Sequence, residues 1–180
     1  MLRLVVSLTA ILGMSLCLAS EGDDQANSFA KIYASLCLRN LPNLEALRQN
    51  LAPMPKLPSD QAALFLGGAP GDAWPVPDKH GKFVLALPSG KNLCAIHARR
   101  ADVDAASALF KELVANAPAP FTSKMVMNEE KQTLTNGATH TVSYEWSVPN
   151  GARKMLFTLT TAASETAQLQ VLGSAAIVSE

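Results

Sequence analysis

The chain of 180 residues carries 15 Lys and Arg residues against 15 Asp and Glu residues, so its formal net charge is zero. Because neither sign is in excess, the composition argues against a nucleic-acid-binding protein and against a surface built for anionic membranes. Hydrophobic residues make up 48% of the chain, which is enough for one well-packed core.

The N-terminal residues have the pattern of a secretory signal peptide, which we assign to residues 1–19. Arg3 supplies one positive charge, an apolar stretch follows it, and the small residues Ala19 and Ser20 precede an acidic segment. We predict cleavage after Ala19, or alternatively after Ser20, and a single α+β domain over residues 20–180. The apolar stretch is shorter than the roughly 20 residues of a membrane-spanning helix, so we predict no membrane span after cleavage.

Cys17 raises the alternative of a lipoprotein, in which a lipid-modified cysteine becomes the first residue. Lipoprotein processing requires a small residue before the cysteine, and Leu16 is bulky. We therefore favour a periplasmic or secreted protein, a monomer or weak oligomer. Cleavage would leave only Cys37 and Cys94, in a compartment where disulfides persist.

Helical signals dominate the first part of the domain. Apolar residues at helical spacing, among them Phe29, Tyr33 and Cys37, predict a buried stripe on the first helix. The predicted helices cover about residues 27–38, 43–51 with an Asn cap, and 60–66 with a Ser cap and a Gly-Gly stop.

Strand signals follow, interrupted by one longer helix. The prolines of "GDAWPVP" confine the first extended segment to a sheet edge. The remaining predicted strands cover 83–88, 93–100, 121–127, 140–148, 154–162 and 167–178, and a helix capped by Asp102 runs to about Ala117. This order predicts an α+β fold. In it, an antiparallel sheet of six to seven strands packs on an N-terminal helical segment and one long central helix, mainly on one face.

The stretch "LCAIHARR" sets Cys94 and His97 close together in one predicted strand. Residues three apart in a strand point to opposite faces, so the two side chains do not form a local catalytic pair. Cys37 lies on the buried stripe of the first helix, which favours a Cys37–Cys94 disulfide. A bridge closing a loop of nearly 60 residues contributes about 4 kcal/mol in the chain-entropy model.

No motif for metal or cofactor chemistry is present. His80, His97 and His140 are scattered, and neither a zinc-type cysteine pair nor a phosphate-binding loop occurs. We therefore predict no metal, no cofactor and no catalytic residues.

Four residues are candidates for a binding surface: Trp74, His80, His97 and Arg99. Trp74 lies in a proline-flanked segment, where it is either an anchor for a partner or, as we favour, a core residue. Arg99 and its neighbour Arg100 end a strand just before a helix start. They suit an anion, although an internal ion pair with the acids of the first helical turn is the favoured interpretation.

The segments "SLCLRNLPNLEALR", "FLGGAPGDAWPV" and "GKFVLALPSGKNLCAIHA" follow one another in this order. Over residues 29–98 the chain resembles a family of small, uncharacterised bacterial exported proteins and lipoproteins, which share a helix cysteine, a G-x-A-W-x-V segment and a strand cysteine. The resemblance implies a Gram-negative envelope setting and no particular activity.

Three hypotheses about function follow. The first is a non-catalytic exported protein that binds a protein partner in the envelope, as an inhibitor or immunity factor. The alternative is a small periplasmic hydrolase whose site assembles from dispersed residues, with His97, His140, Glu145 and Asp72 as candidates. A third hypothesis, an apolar ligand between sheet and helices, requires a cavity that only the structure reveals.

Overall fold

Seven strands form one antiparallel sheet in the computed structural model, which describes residues 20–149 and 151–179. The predicted signal peptide lies outside these residues. The strand order is β1-β2-β3-β7-β6-β5-β4. The strands are β1 (Gly71–Val76), β2 (Phe83–Pro88), β3 (Leu93–Ala98), β4 (Thr122–Thr133), β5 (Gly137–Ser147), β6 (Arg153–Ala162) and β7 (Val171–Ser179). The predicted α+β class and sheet size are confirmed.

Four α-helices accompany the sheet in the described part of the chain. They are α1 (Glu21–Ile32), which continues as a π-helical segment (Tyr33–Leu38), α2 (Leu44–Leu51), α3 (Ser59–Leu66) and α4 (Val103–Val114). The predicted start of α1 near residue 27 is wrong. Ser20 accepts a hydrogen bond from the Asp23 amide, and the Asp23 carboxylate accepts one from the Ser20 amide, so this capping box starts the helix at Glu21.

The main core lies between the sheet and the layer formed by α1 and α4. Phe29 of α1 and Tyr33, the first residue of the π-helical segment, stack with ring centroids 5.9 Å apart, and Tyr33 also contacts Phe110 of α4 at 5.7 Å. The Tyr33 hydroxyl donates to the Ser174 carbonyl at 2.8 Å, which fixes α1 on β7. A Cβ at Gly173 would come within 2.7 Å of the Phe29 ring, so this close approach requires glycine.

The disulfide ties the helical layer to the centre of the sheet. Cys37, in the π-helical segment, bonds to Cys94 of β3, and their Cα atoms are 5.4 Å apart. Both residues are fully buried in the main core. The bridge joins the helix to the strand that the sequence predicted.

The opposite face of the sheet is covered only in part, by α3. Ala62 and Leu66 of α3 form a second, smaller core with Ala73, Ala86 and Ala95 of the first three strands. The prediction that the helices pack mainly on one face is confirmed, since α3 is the only described α-helix on the second face. Small alanines on β1, β2 and β3 let a short helix lie directly on this face.

The β4–β5 hairpin is longer than the sequence predicted. The first expected strand, 121–127, continues to Thr133, and the second, 140–148, begins earlier, at Gly137. The two strands stay hydrogen-bonded up to a short turn. A register shift between Met125 and Met127 marks a bulge in β4. Beyond that bulge most residues of β4 are exposed, so hydrophobic periodicity gives no signal there.

Candidate functional site

Trp74 does not belong to an exposed surface. It lies on β1 with its side chain in the main core and is 1% exposed. The Lys56 ammonium lies 5.5 Å from the centre of its ring on the outer side. The favoured interpretation of Trp74 as a core residue is confirmed, and the alternative role as a partner anchor is wrong, because alternation along β1 turns the side chain towards the helices. The prolines of this segment only fix the edge strand.

His97 is also buried, on the face covered by α3. Its ring meets the Phe65 ring edge-on at 5.1 Å, and the residue is 6% exposed. Cys94 faces the other way, as the strand periodicity predicted, but the candidate binding role of His97 is wrong because α3 covers it. Burial lowers the pKa of His97 to about 4, and the nearby Phe65 backbone offsets only part of this effect. Neither ring nitrogen has a hydrogen-bond partner among the described residues.

The other two candidates, His80 and Arg99, line one concavity, which we call the basic groove. It has a volume of about 410 Å³ and lies where the β1–β2 turn meets the end of β3. Its lining consists of Glu21, Gln25, Asp78, Lys79, His80, Gly81, Lys82, Arg99 and Arg100. Four of these residues are permanently charged cations, against two acids.

Two of the cations stand directly opposite each other. Phe83 pairs with Ala98, and the Arg99 amide donates to the Lys82 carbonyl at 3.2 Å, so Lys82 and Arg99 extend the ladder as cross-strand neighbours. Like charges in this arrangement repel. Both side chains are exposed, and neither makes an ion pair with a described residue.

The expected internal ion pair of the two arginines is not formed. Arg100 donates to the carbonyls of Arg99 and Ala167, each at 2.7 Å. Asp102 instead caps α4 by accepting from the Ala105 amide at 2.8 Å. The capping geometry turns this carboxylate towards the helix start, and it makes no ion pair with either arginine.

The two acids nearest to His80 are engaged locally. The Asp78 carboxylate accepts from the His80 amide at 2.8 Å, and this bond lowers the pKa of Asp78 below its usual value. The His80 ring nitrogen Nδ1 lies 3.5 Å from an Asp24 carboxylate oxygen. His80 is thus held at the groove wall, half-buried.

The hydrolase candidates do not converge. His97 faces α3, whereas His140 faces the α4 side, three strands away and so roughly 14 Å across the sheet. Asp72 is paired with Arg48 at 3.1 Å and Lys56 at 2.9 Å on the β1 edge. Glu145 lies 3.7 Å from the Lys154 ammonium. These residues occupy separate surfaces.

Metal ligands are not grouped in the described ranges: no set of three or more His, Cys, Asp or Glu side chains is placed to hold an ion. No helix within those ranges is long and apolar enough to cross a membrane.

Lys79 and Lys82 are not among the candidates that the sequence suggested, because nothing in the local segment "DKHGK" brings them near Arg99. The signal that reveals them is the pairing register of β2 with β3, which brings Lys82 beside Arg99. That register is a tertiary property, since residues 82 and 99 belong to different strands.

No protein-family model, curated protein or solved structure matches this chain.

Proposed function

We propose that the protein is exported to the periplasm or secreted, and that it acts without catalysis by binding an acidic segment of a protein partner in the envelope, as an inhibitor or immunity factor. The observation that carries the proposal is that Lys82 and Arg99 are cross-strand neighbours at the rim of the basic groove and that neither forms an ion pair with a described residue. A partner carboxylate placed between them would relieve their repulsion and form charge-assisted hydrogen bonds.

The location of the groove supports this proposal. Its cations lie on a turn and a strand end that are anchored to a rigid, disulfide-linked core, so binding does not require the scaffold to fold. Complementary charge across an interface chiefly raises the association rate and the specificity. A chain of zero net charge presents such a cluster as a local feature, distinct from the rest of its surface.

The test is capture of a partner from envelope extract with three baits: the wild type, a Lys82→Glu/Arg99→Glu variant and a Lys91→Glu variant. Lys91 is an exposed lysine in the β2–β3 turn at the other end of β2 and serves as the matched control. We expect a stoichiometric partner with the wild type and the control, and its loss with the double variant. Capture should also weaken as salt is raised from 0.05 to 0.5 M, because salt screens exposed charges.

Failure to capture any partner at every salt concentration would contradict partner binding itself. Equal capture by the double variant would instead place the interface elsewhere on the protein. If the captured partner is an enzyme or a toxin, its activity with and without the protein distinguishes an inhibitor or immunity factor from a scaffold.

A further inference from the structure

A second concavity lies on the helical side of the sheet, between the start of α4 and the β4–β5 hairpin. Its volume is about 510 Å³. It is lined by Val103, Asp104, Ser107, Glu130, Lys131, Gln132, Ala138, Thr139, His140, Thr161 and Ala163. We call it the hairpin groove. It is separate from the basic groove and shares no residue with it.

A single cross-strand row forms the floor of the hairpin groove. Glu130 of β4 pairs with His140 of β5, and His140 pairs with Thr161 of β6. Directly opposite residues in an antiparallel sheet point to the same face with Cβ atoms about 5 Å apart. The same row continues through Val171 and Ala98 under the helices, where it is apolar and buried. The row therefore changes from apolar to polar where the helical layer ends.

Hydrogen-bond acceptors dominate this floor. The carboxylates of Glu130 and Asp104 make no ion pair and accept no hydrogen bond from a described residue. The Nε2 atom of His140 lies 2.6 Å from the Asn128 side-chain oxygen. That oxygen accepts from Nε2 in the tautomer that carries its proton there, and in this neutral tautomer the second ring nitrogen is an acceptor.

Thr161 provides an independent indication of a ligand. It is 6% exposed, it lines the groove, and its hydroxyl has no partner among the described residues. This hydroxyl is not among the fully enclosed polar atoms that lack a partner, so it opens onto the groove, where a ligand can reach it. Lys131 also lines the groove, but its ammonium pairs with the Glu129 carboxylate at 2.9 Å and does not neutralise Glu130.

From this arrangement we propose that the hairpin groove binds a small organic cation through an alkylammonium or guanidinium group. Two carboxylates, an imidazole nitrogen and a hydroxyl offer acceptors for the several N–H donors of such a group. The methyl groups of Val103, Ala138 and Ala163 line the same groove and suit an alkyl stem. A free amine and the Lys or Arg side chain of a peptide share this chemistry. The proposal is independent of the partner bound at the basic groove.

The test is a titration of the isotope-labelled exported protein followed by amide NMR shifts, with three probes: 1,5-diaminopentane, arginine amide, and the peptide acetyl-Gly-Lys-Gly-amide. We expect saturable shifts confined to residues around His140 and Thr161. Tighter binding of the peptide than of the free amines assigns the site to a partner's side chain, and the reverse order assigns it to a free amine.

Three variants locate the site. Glu130→Gln removes one charge without changing size and should weaken binding about tenfold. Thr161→Val removes the hydroxyl and should weaken it about threefold. Glu112→Gln, an exposed glutamate on the far half of α4, is the matched control and should leave the affinity unchanged.

The proposal is overturned if none of the probes gives saturable shifts at concentrations up to tens of millimolar. It is also overturned if the wild type binds a probe but Glu130→Gln, confirmed as folded by its spectrum, binds it equally well. Shifts in the wild-type spectrum do not depend on the stability of any variant.

Discussion

The two halves of the sheet differ in how many of their faces are covered. In the covered half, formed by β1, β2 and β3, the α1 and α2 region lies on one face and α3 on the other, so nearly every residue of β2 and β3 is buried. In the open half, formed by β4, β5 and β6, α4 covers one face only, and β4 is exposed along almost its whole length. Strands with helices on both faces have little exposed surface for a ligand or partner. Both grooves accordingly lie at the margins of the helical layer.

The difference between the covered and the open half is visible in the pattern of apolar residues along the strands. "FVLALP" and "LCAIHA" are nearly continuous apolar runs, as in strands covered on both faces, whereas "HTVSYEWSV" alternates as strands with one wet face do. Trp74 and His97 fall in the covered half. Their apparent suitability for binding came from residue type, which is a weaker guide than the pattern of the surrounding strand.

The largest effect is expected from the bridge that anchors the covered half. Reduction of the Cys37–Cys94 disulfide, or its removal by Cys37→Ala with Cys94→Ala, should lower the free energy of unfolding by about 4 kcal/mol, because the unfolded chain regains the entropy of a long loop. Urea unfolding of oxidised and reduced protein measures the difference. Alkylation of the folded, unreduced protein should label neither cysteine, and rapid labelling would refute the bridge.

Acid should destabilise the covered half through His97. Its pKa is about 4 when folded and 6.5 in the unfolded chain, so the unfolded state binds more protons between these values. The contribution of neutral His97 is complete above about pH 6.5 and is lost as the pH falls towards 4, by up to about 3 kcal/mol. His97→Leu should remove this part of the pH dependence, as followed by thermal unfolding at a series of pH values.

The matched control is His80→Gln, which changes a half-buried histidine and should keep the acid-sensitive part of the profile. An unchanged slope between pH 4 and 6.5 in His97→Leu would mean that other groups cause the acid sensitivity. It would also mean that α3 shields His97 less than the structure indicates.

A smaller difference is expected between two leucines of β6 in the open half. Leu159 is buried against the helices, and Leu156 lies on the uncovered face. Leu159→Ala should cost about 3 kcal/mol and Leu156→Ala about 1 kcal/mol, a difference of about 2 kcal/mol in urea unfolding. Equal losses would show that something covers the second face of this half as well, and the comparison of the two halves would then fail.

Much of the fold was predictable from local signals. The bounds of β2, the Asn cap of α2, the Asp102 cap of α4 and the edge position of β1 all follow from residues within a few positions of one another. The early start of α1 was also available, because Ser20 and Asp23 have capping-box spacing. The candidate sites were less predictable: of Trp74, His80, His97 and Arg99, only His80 and Arg99 line a groove.

The sequence by itself determined the class of fold, the pairing of Cys37 with Cys94 and the opposite orientation of Cys94 and His97. These properties depend on composition, on the helical spacing that places Cys37 on a buried stripe, and on the period of two along a strand. Tertiary structure alone decided that α3 buries His97, that Lys82 stands beside Arg99, and that Glu130, His140 and Thr161 form one row. Periodicity states which side chains share a face, but only the packing of distant segments decides whether that face is covered and which strand lies next to it.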